Sequence, residues 1–124
     1  MNEKPDVITW FEIPARDFDR AVKFYETILE TKLHHFGSPE TKYAFFDHES
    51  SVSGGIKEHT GAIPSENGVL IYLNAGEDLQ PILDCVEPAG GKILSRKELI
   101  SEEIGCSAQF LDSEGNRLAL HSRG

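Results

Sequence analysis

Two stretches of the chain carry the apolar spacing of a helix resting on a core. In the first, Phe18, Ala21, Val22, Tyr25, Ile28 and Leu29 recur at the i, i+3, i+4, i+7 positions of one helical face. Asp17 stands just before them, where its carboxylate can accept from the first free N–H groups, and Asp19 suits the positive end of the helix dipole. In the second, Leu79, Ile82, Leu83 and Val86 repeat the plan behind Asp78, with Pro81 in the first turn, where its missing N–H does no harm. Pro88, Gly90 and Gly91 stop that helix. The two capping aspartates lie about half the chain apart.

The segments around the helices also recur. A β-branched and aromatic run precedes each one, Ile8-Thr9-Trp10-Phe11-Glu12-Ile13 and Val69-Leu70-Ile71-Tyr72-Leu73. An apolar run ending in an acidic turn follows each one: Tyr43-Ala44-Phe45-Phe46 into Asp47-His48-Glu49-Ser50, and Ala108-Gln109-Phe110-Leu111 into Asp112-Ser113-Glu114-Gly115. Strand, capped helix and hairpin recurring in order is the mark of an internal repeat. Each half reads as one strand, one helix and three strands. The later strands are expected at 32–37, 42–47 and 52–58, then at 92–99, 106–112 and 117–122. The first module spans 7–58, a breaker-rich linker 59–68, and the second module 69–122, all within one domain of 1–124. The fold class expected is α+β, with two βαβββ modules forming a cupped eight-stranded mixed sheet and the helices outside.

Size and composition agree with a folded chain. Its 124 residues are 39% hydrophobic and 27% charged. A net charge of −9, from 21 acidic against 12 basic side chains, argues against nucleic acid and anionic membranes as partners. No apolar run approaches the roughly 20 residues of a membrane span. A polar N-terminus and two cysteines, Cys85 and Cys106, without a CxxC spacing lead to a cytoplasmic, reducing location as the expectation.

With these elements in place, the opening Asp17, Arg20-Ala21 and Phe24-Tyr25 resembles the vicinal-oxygen-chelate superfamily. That group includes glyoxalase I, extradiol dioxygenases and bleomycin-resistance proteins. Ala89-Gly90-Gly91, Ile104-Gly105, Phe110 and Asp112-Ser113-Glu114-Gly115-Asn116 are similar to its C-terminal half. The resemblance covers nearly the whole chain. It implies paired βαβββ modules, a small-molecule ligand and a homodimer. It leaves the reaction open, because one fold hosts many chemistries.

The resemblance also implies where a divalent metal would be held, by His, Gln or Glu on the first and last strand of each module. Carried over one position at a time, those places fall on Trp10, on Leu70 or Ile71, on Ala119 and, by the hairpin offset, on Gly54. None of these side chains can ligate a metal. The expectation is therefore no metal and no cofactor at the family site.

Residues two apart on a strand share a face. Glu12 then joins Trp10, Tyr72 joins Leu70, and His121 joins Ala119, which puts Trp10, Glu12, Tyr72 and His121 in one ligand cavity. Glu12, flanked by apolar neighbours, is expected to be buried. The leading function is a small-molecule-binding protein of the glyoxalase/bleomycin-resistance type, with Trp10 stacking on a flat or cationic ligand. The alternative is a lyase or isomerase with Glu12 and His121 as catalytic acid and base, or as ligands of a shifted metal. A third possibility is an interaction module without a ligand. His34 and His35, adjacent on a strand, face opposite ways and cannot chelate together.

Overall fold

A computed structural model of the chain describes residues 6–38, 40–49 and 52–124. Along the chain run β1 (Trp10–Pro14), α1 (Phe18–Leu29), β2 (His34–His35), β3 (Tyr43–Phe45) and β4 (Ser53–Lys57). The second half follows with β5 (Tyr72–Asn74), α2 (Gln80–Val86), β6 (Lys92–Ser101), β7 (Gly105–Leu111) and β8 (Arg117–Ser122). The strands form two four-stranded sheets of identical topology, β1-β4-β3-β2 and β5-β8-β7-β6. In each, the first and last strand of the module are parallel and the other pairs antiparallel. The repeat read from the sequence is thus a repeat of structure, an α+β arrangement of two βαβββ modules.

Helix α1 shows why. Asp17 sits in an extended conformation and its side chain accepts from the Arg20 N–H, as an N-cap does. Glu30 ends the helix in the left-handed region at φ 51. The buried stripe is wider than the sequence spacing indicated, because Phe24 is also buried. The reason is a second packing partner: Phe24 meets Phe110 of β7 at 6.1 Å between ring centres, while Ile13, Ala44 and Ile56 of the first sheet join the same core. One apolar core therefore serves both modules, and α1 and α2 pack together within it.

Most boundaries shift by a residue or two from the sequence reading, and three of the differences have a clear cause. The second helix begins at Gln80 rather than directly after Asp78, although Asp78 still accepts from the Gln80 N–H at 3.0 Å. Strand β5 starts at Tyr72 instead of Val69, because pairing to β8 begins only where the Ile71 carbonyl accepts from Ala119, and Val69 projects into solvent. Edge strand β2 keeps two residues where six were expected, since its ladder to β3 holds only at His34–Phe45 and His35–Ala44 before Gly37 turns at φ 84.

The buried polar residues belong to this framework. Asp112 accepts from the backbone of Glu114 and Asn116 and from the Tyr25 hydroxyl at 2.7 Å. Asn116 donates to the Pro14 carbonyl and accepts from the Ser65 N–H, which ties linker, first module and second module at one point. The Glu114 carboxylate caps the start of α1, which lies in the other half of the chain. Among the described residues every buried side-chain polar atom has a partner. Cys85 and Cys106 are free thiols, half-buried and buried. Among the described residues no helix is long and apolar enough to cross a membrane.

Candidate functional site

Alternation along the first sheet sorts its residues onto two faces. Phe11, Ile13, Ala44 and Ile56 point to the core. The ladders pair Trp10 with Ser53, Glu12 with Gly55, Phe45 with Gly55 and Tyr43 with Lys57. Trp10, Glu12, Tyr43, Phe45, Ser53, Gly55 and Lys57 therefore share the face turned away from the core.

This register corrects one position. Gly54, assigned to the family's metal place by a constant hairpin offset, pairs with Phe11 on the core side, where a Cβ would run into the Phe11 ring at 2.6 Å. The two hairpins keep the same register, Ala44 on Ile56 and Ala108 on Leu120, so the counterpart of Ala119 lies one position further on than the acidic turns suggest, and one residue reverses a strand's faces. The neighbour that shares the open face is Gly55. A Cβ on Gly55 would come within 2.6 Å of the Ala44 carbonyl and 2.9 Å of the Tyr43 ring. The bare backbone there lets the tyrosine lie across the sheet.

Tyr43 uses that freedom to meet the first strand. The Trp10 indole N–H donates to the Tyr43 hydroxyl at 2.6 Å. Burial raises the Tyr43 phenol above its usual value; the Trp10 bond acts against this, and the Glu12 carboxylate beside the hydroxyl adds to it. Trp10, Tyr43 and Glu12 thus form one polar chain. Glu12 is exposed, contrary to the burial expected from its apolar sequence neighbours, because those neighbours point to the opposite face.

Beside Trp10 and Tyr43 lies a hollow of about 780 Å³, with walls from Trp10, Phe36, Tyr43 and Phe45 and an edge that includes Lys57 and His59. Its rings interlock: Trp10 meets Phe45 at 6.1 Å, and Phe36 meets Tyr43 edge-on at 6.2 Å. His48 packs edge-on against Trp10, and His34 lies against Phe45 while its Nε2 bonds the Asp47 carboxylate at 2.9 Å. His35 turns instead to Phe18 on the core side, so the adjacent histidines do diverge. Tyr43, Phe45 and Lys57 were not placed here from the sequence. Their signal was the alternation of Tyr43 with Phe45 and of Ser53, Gly55 and Lys57, which becomes usable only once the register is known.

The other two expected site residues lie on the second sheet. Tyr72 pairs with Ala119, and Asn74 with His121, so Tyr72, Ala119 and His121 share one face. Tyr72 is 53% exposed and borders a separate hollow of about 770 Å³ with Phe11, Ile71 and Ile82. His121 is tied down: its Nε2 lies 2.6 Å from the Ile104 carbonyl, which can only accept, so that nitrogen carries the proton. Glu12 borders a third, smaller hollow of about 180 Å³ beside Arg117. Trp10 and Glu12 come together; Tyr72 and His121 do so elsewhere. None of these three hollows holds two of the four residues: Trp10, Glu12 and Tyr72 each border a different one, and His121 borders none of them.

The places at which the family resemblance implies a metal hold Trp10, Gly55, Ala119 and, just before β5, Leu70 or Ile71, and these side chains offer no ligating atom. Among the described residues no group of three or more His, Cys, Asp or Glu side chains could hold a metal ion.

Comparisons with known proteins agree with the fold. No family model matches the chain. A glyoxylase-like domain-containing protein of Didymella fabae is 30% identical over 121 residues, covering 94% of this chain and 93% of that one. A glyoxalase/bleomycin resistance protein from Albidiferax ferrireducens superposes with a TM-score of 0.77 at 15% identity, over 96% of this chain and all of the other. A glyoxalase/bleomycin resistance protein/dioxygenase family enzyme from Burkholderia phytofirmans gives a TM-score of 0.70 at 14% identity, over 94% and 98%. A glyoxalase I variant from Zea mays gives a TM-score of 0.69 at 22% identity; it covers 99% of this chain, which spans 48% of that enzyme.

Proposed function

This chain belongs to the vicinal-oxygen-chelate superfamily, and on that premise we propose that it is a small-molecule-binding protein that works without the family's metal. The observation that carries the reading is Trp10. At the place where the resemblance implies a metal-binding histidine stands an indole, 36% exposed in a hollow walled by aromatic rings. Its polar edge is satisfied by Tyr43, which fixes the ring and leaves its face to a ligand. Glu12 belongs to the same site through Tyr43. Tyr72 and His121 occupy the equivalent open face of the second sheet. In a homodimer, the second copy would bring that face opposite Trp10 and Glu12, and the four residues would line one cavity. A cytoplasmic location fits this role.

The acid–base alternative is less well supported. A lyase or isomerase needs Glu12 and His121 around one substrate, yet they stand on different sheets and His121 Nε2 is committed to a backbone carbonyl.

Trp10 is the only tryptophan of the chain, so its fluorescence reports the hollow directly. Planar aromatic compounds of anionic, neutral and cationic kinds should include some that give a saturable change in that emission. Trp10→Ala should abolish their binding, read by calorimetry, while shifting the thermal midpoint little. A protein whose emission answers to none of them, or one that needs a stoichiometric metal to bind, overturns the reading.

A further inference from the structure

We propose that the Trp10 hollow takes a planar aromatic carboxylate, its ring against Trp10 and Phe45 and its acid group on Lys57 and His59. This rests on the reading of the hollow as a ligand site and adds the sign of the ligand's charge. The chain's net charge of −9 would suggest a cation, so the local groups have to decide.

The acceptors around the hollow are already engaged. One oxygen of Glu58 takes the Phe18 N–H at 2.7 Å, and the other faces Lys42 at 4.0 Å. The Tyr43 oxygen takes the Trp10 N–H. Glu40 leans on the Ser38 hydroxyl and its own backbone, which hold it below the usual carboxylate range. Two of the donors are not engaged in this way. Of the two lysines at the hollow, Lys42 has Glu58, while half-buried Lys57 has no carboxylate at ion-pair distance among the described residues. His59 accepts the Gly61 N–H on Nδ1 at 3.0 Å, so its neutral ring carries the proton on Nε2 as a donor. A partly desolvated ammonium beside a free N–H is the complement of an anion.

The spacing fits a ring joined to an acid. The Phe45–Gly55 pair and the Tyr43–Lys57 pair are two residues apart along the ladder, roughly 7 Å at strand rise. That is the reach from the middle of a one- or two-ring aromatic to a carboxylate attached to it. Gly55 puts no side chain in the way.

The test uses 2-naphthoate, its neutral amide and 2-naphthylmethylammonium, titrated into the full chain by calorimetry. The acid should bind at least about tenfold tighter than either analogue. Lys57→Met should remove that preference, weakening the acid by a larger factor than the amide, and Lys57→Arg should keep it. His59→Asn should weaken the acid by a smaller factor. The charge assignment is overturned if the amide or the ammonium binds as well as the acid, or if Lys57→Met keeps the preference; the hollow then remains a ligand site of another sign. If none of the three binds, the ligand-site reading itself fails. A Lys57→Met protein that does not fold hands the decision to Lys57→Arg and to the wild-type ranking of the three probes.

Discussion

Glu114 holds the two halves of the chain together, and neutralising it should be costly. Its side chain is 0% exposed. One oxygen accepts from the backbone N–H of Arg16 and Asp17, each at 2.8 Å, and from Arg20 Nη2 at 3.0 Å; the other accepts from Arg20 Nε at 2.7 Å and from the Ser113 hydroxyl at 2.9 Å. In Glu114→Gln one oxygen becomes an NH2. The better orientation keeps the backbone bonds but points that NH2 at Arg20 Nε and Ser113. A lost charge-assisted bond costs roughly 1.5–3 kcal/mol. Water reaches Arg20, whose side chain is 52% exposed, and recovers part of the loss. We expect about 2 kcal/mol, or roughly 5–10 °C in thermal midpoint for a domain of this size. Glu114→Ala should cost about twice as much, since it orphans the two N–H groups at the start of α1.

The pH dependence gives an independent check. Burial pushes the Glu114 carboxyl up, but the Arg20 guanidinium, the two N–H groups and the Ser113 hydroxyl outweigh it and leave it below the ordinary value. A carboxyl lowered in the folded state contributes stability above its unfolded value and loses it as pH falls through the folded one. The difference between wild type and Glu114→Gln, measured by urea unfolding, should therefore be full at pH 7 and shrink toward pH 3. A cost under about 0.5 kcal/mol at pH 7, the range of ordinary surface changes, would refute the argument. So would a difference that stays constant down to pH 3.

Two further changes test neighbouring features. Tyr25→Phe removes a buried hydroxyl whose partner, Asp112, keeps its other bonds, and should cost about 1–2 kcal/mol by the same unfolding assay. Gly55→Ala forces a Cβ against the Ala44 carbonyl and the Tyr43 ring, and should cost about 1–3 kcal/mol and shift the Trp10 emission as Tyr43 is displaced. An unchanged emission spectrum in a folded Gly55→Ala protein would mean that Tyr43 does not depend on the bare glycine.

The sequence carried the architecture because the architecture is periodic. The stripe of α1, the cap at Asp17 and the bounds of β8 follow from residues close together in the chain. What failed depended on distant pairing. Strand β5 starts late because β8 decides where its ladder begins, and β2 is short because its edge has one neighbour. The site was half legible. Trp10 and Glu12 are neighbours by strand alternation, which a sequence shows directly. Tyr43 and Lys57 join them through antiparallel register, which a turn of uncertain length hides. Asp112, Glu114 and Asn116 read as a recurring acidic turn; their role as the buried joint between modules depends on residues 87 to 102 positions away.

The two modules differ most where their shared plan would put a metal, and the difference has a structural logic. On the first sheet the exchange involves more than the loss of ligands. Gly55 clears the floor, Tyr43 fills the space it clears, and the Tyr43 hydroxyl accepts from Trp10 beside Glu12. Each of these residues requires the others. A larger residue than glycine meets the Ala44 carbonyl, and a phenylalanine in place of Tyr43 leaves the indole N–H without its partner. On the second sheet the corresponding face keeps buried Ala119 under the pairing strand, with Tyr72 exposed beside it. The first sheet thus presents a preformed aromatic wall, while the second presents an exposed ring. Ligand selectivity should therefore follow changes at Trp10, Tyr43 and Lys57 more closely than changes at Tyr72, because a preformed wall of packed rings discriminates shape better than a single exposed ring does.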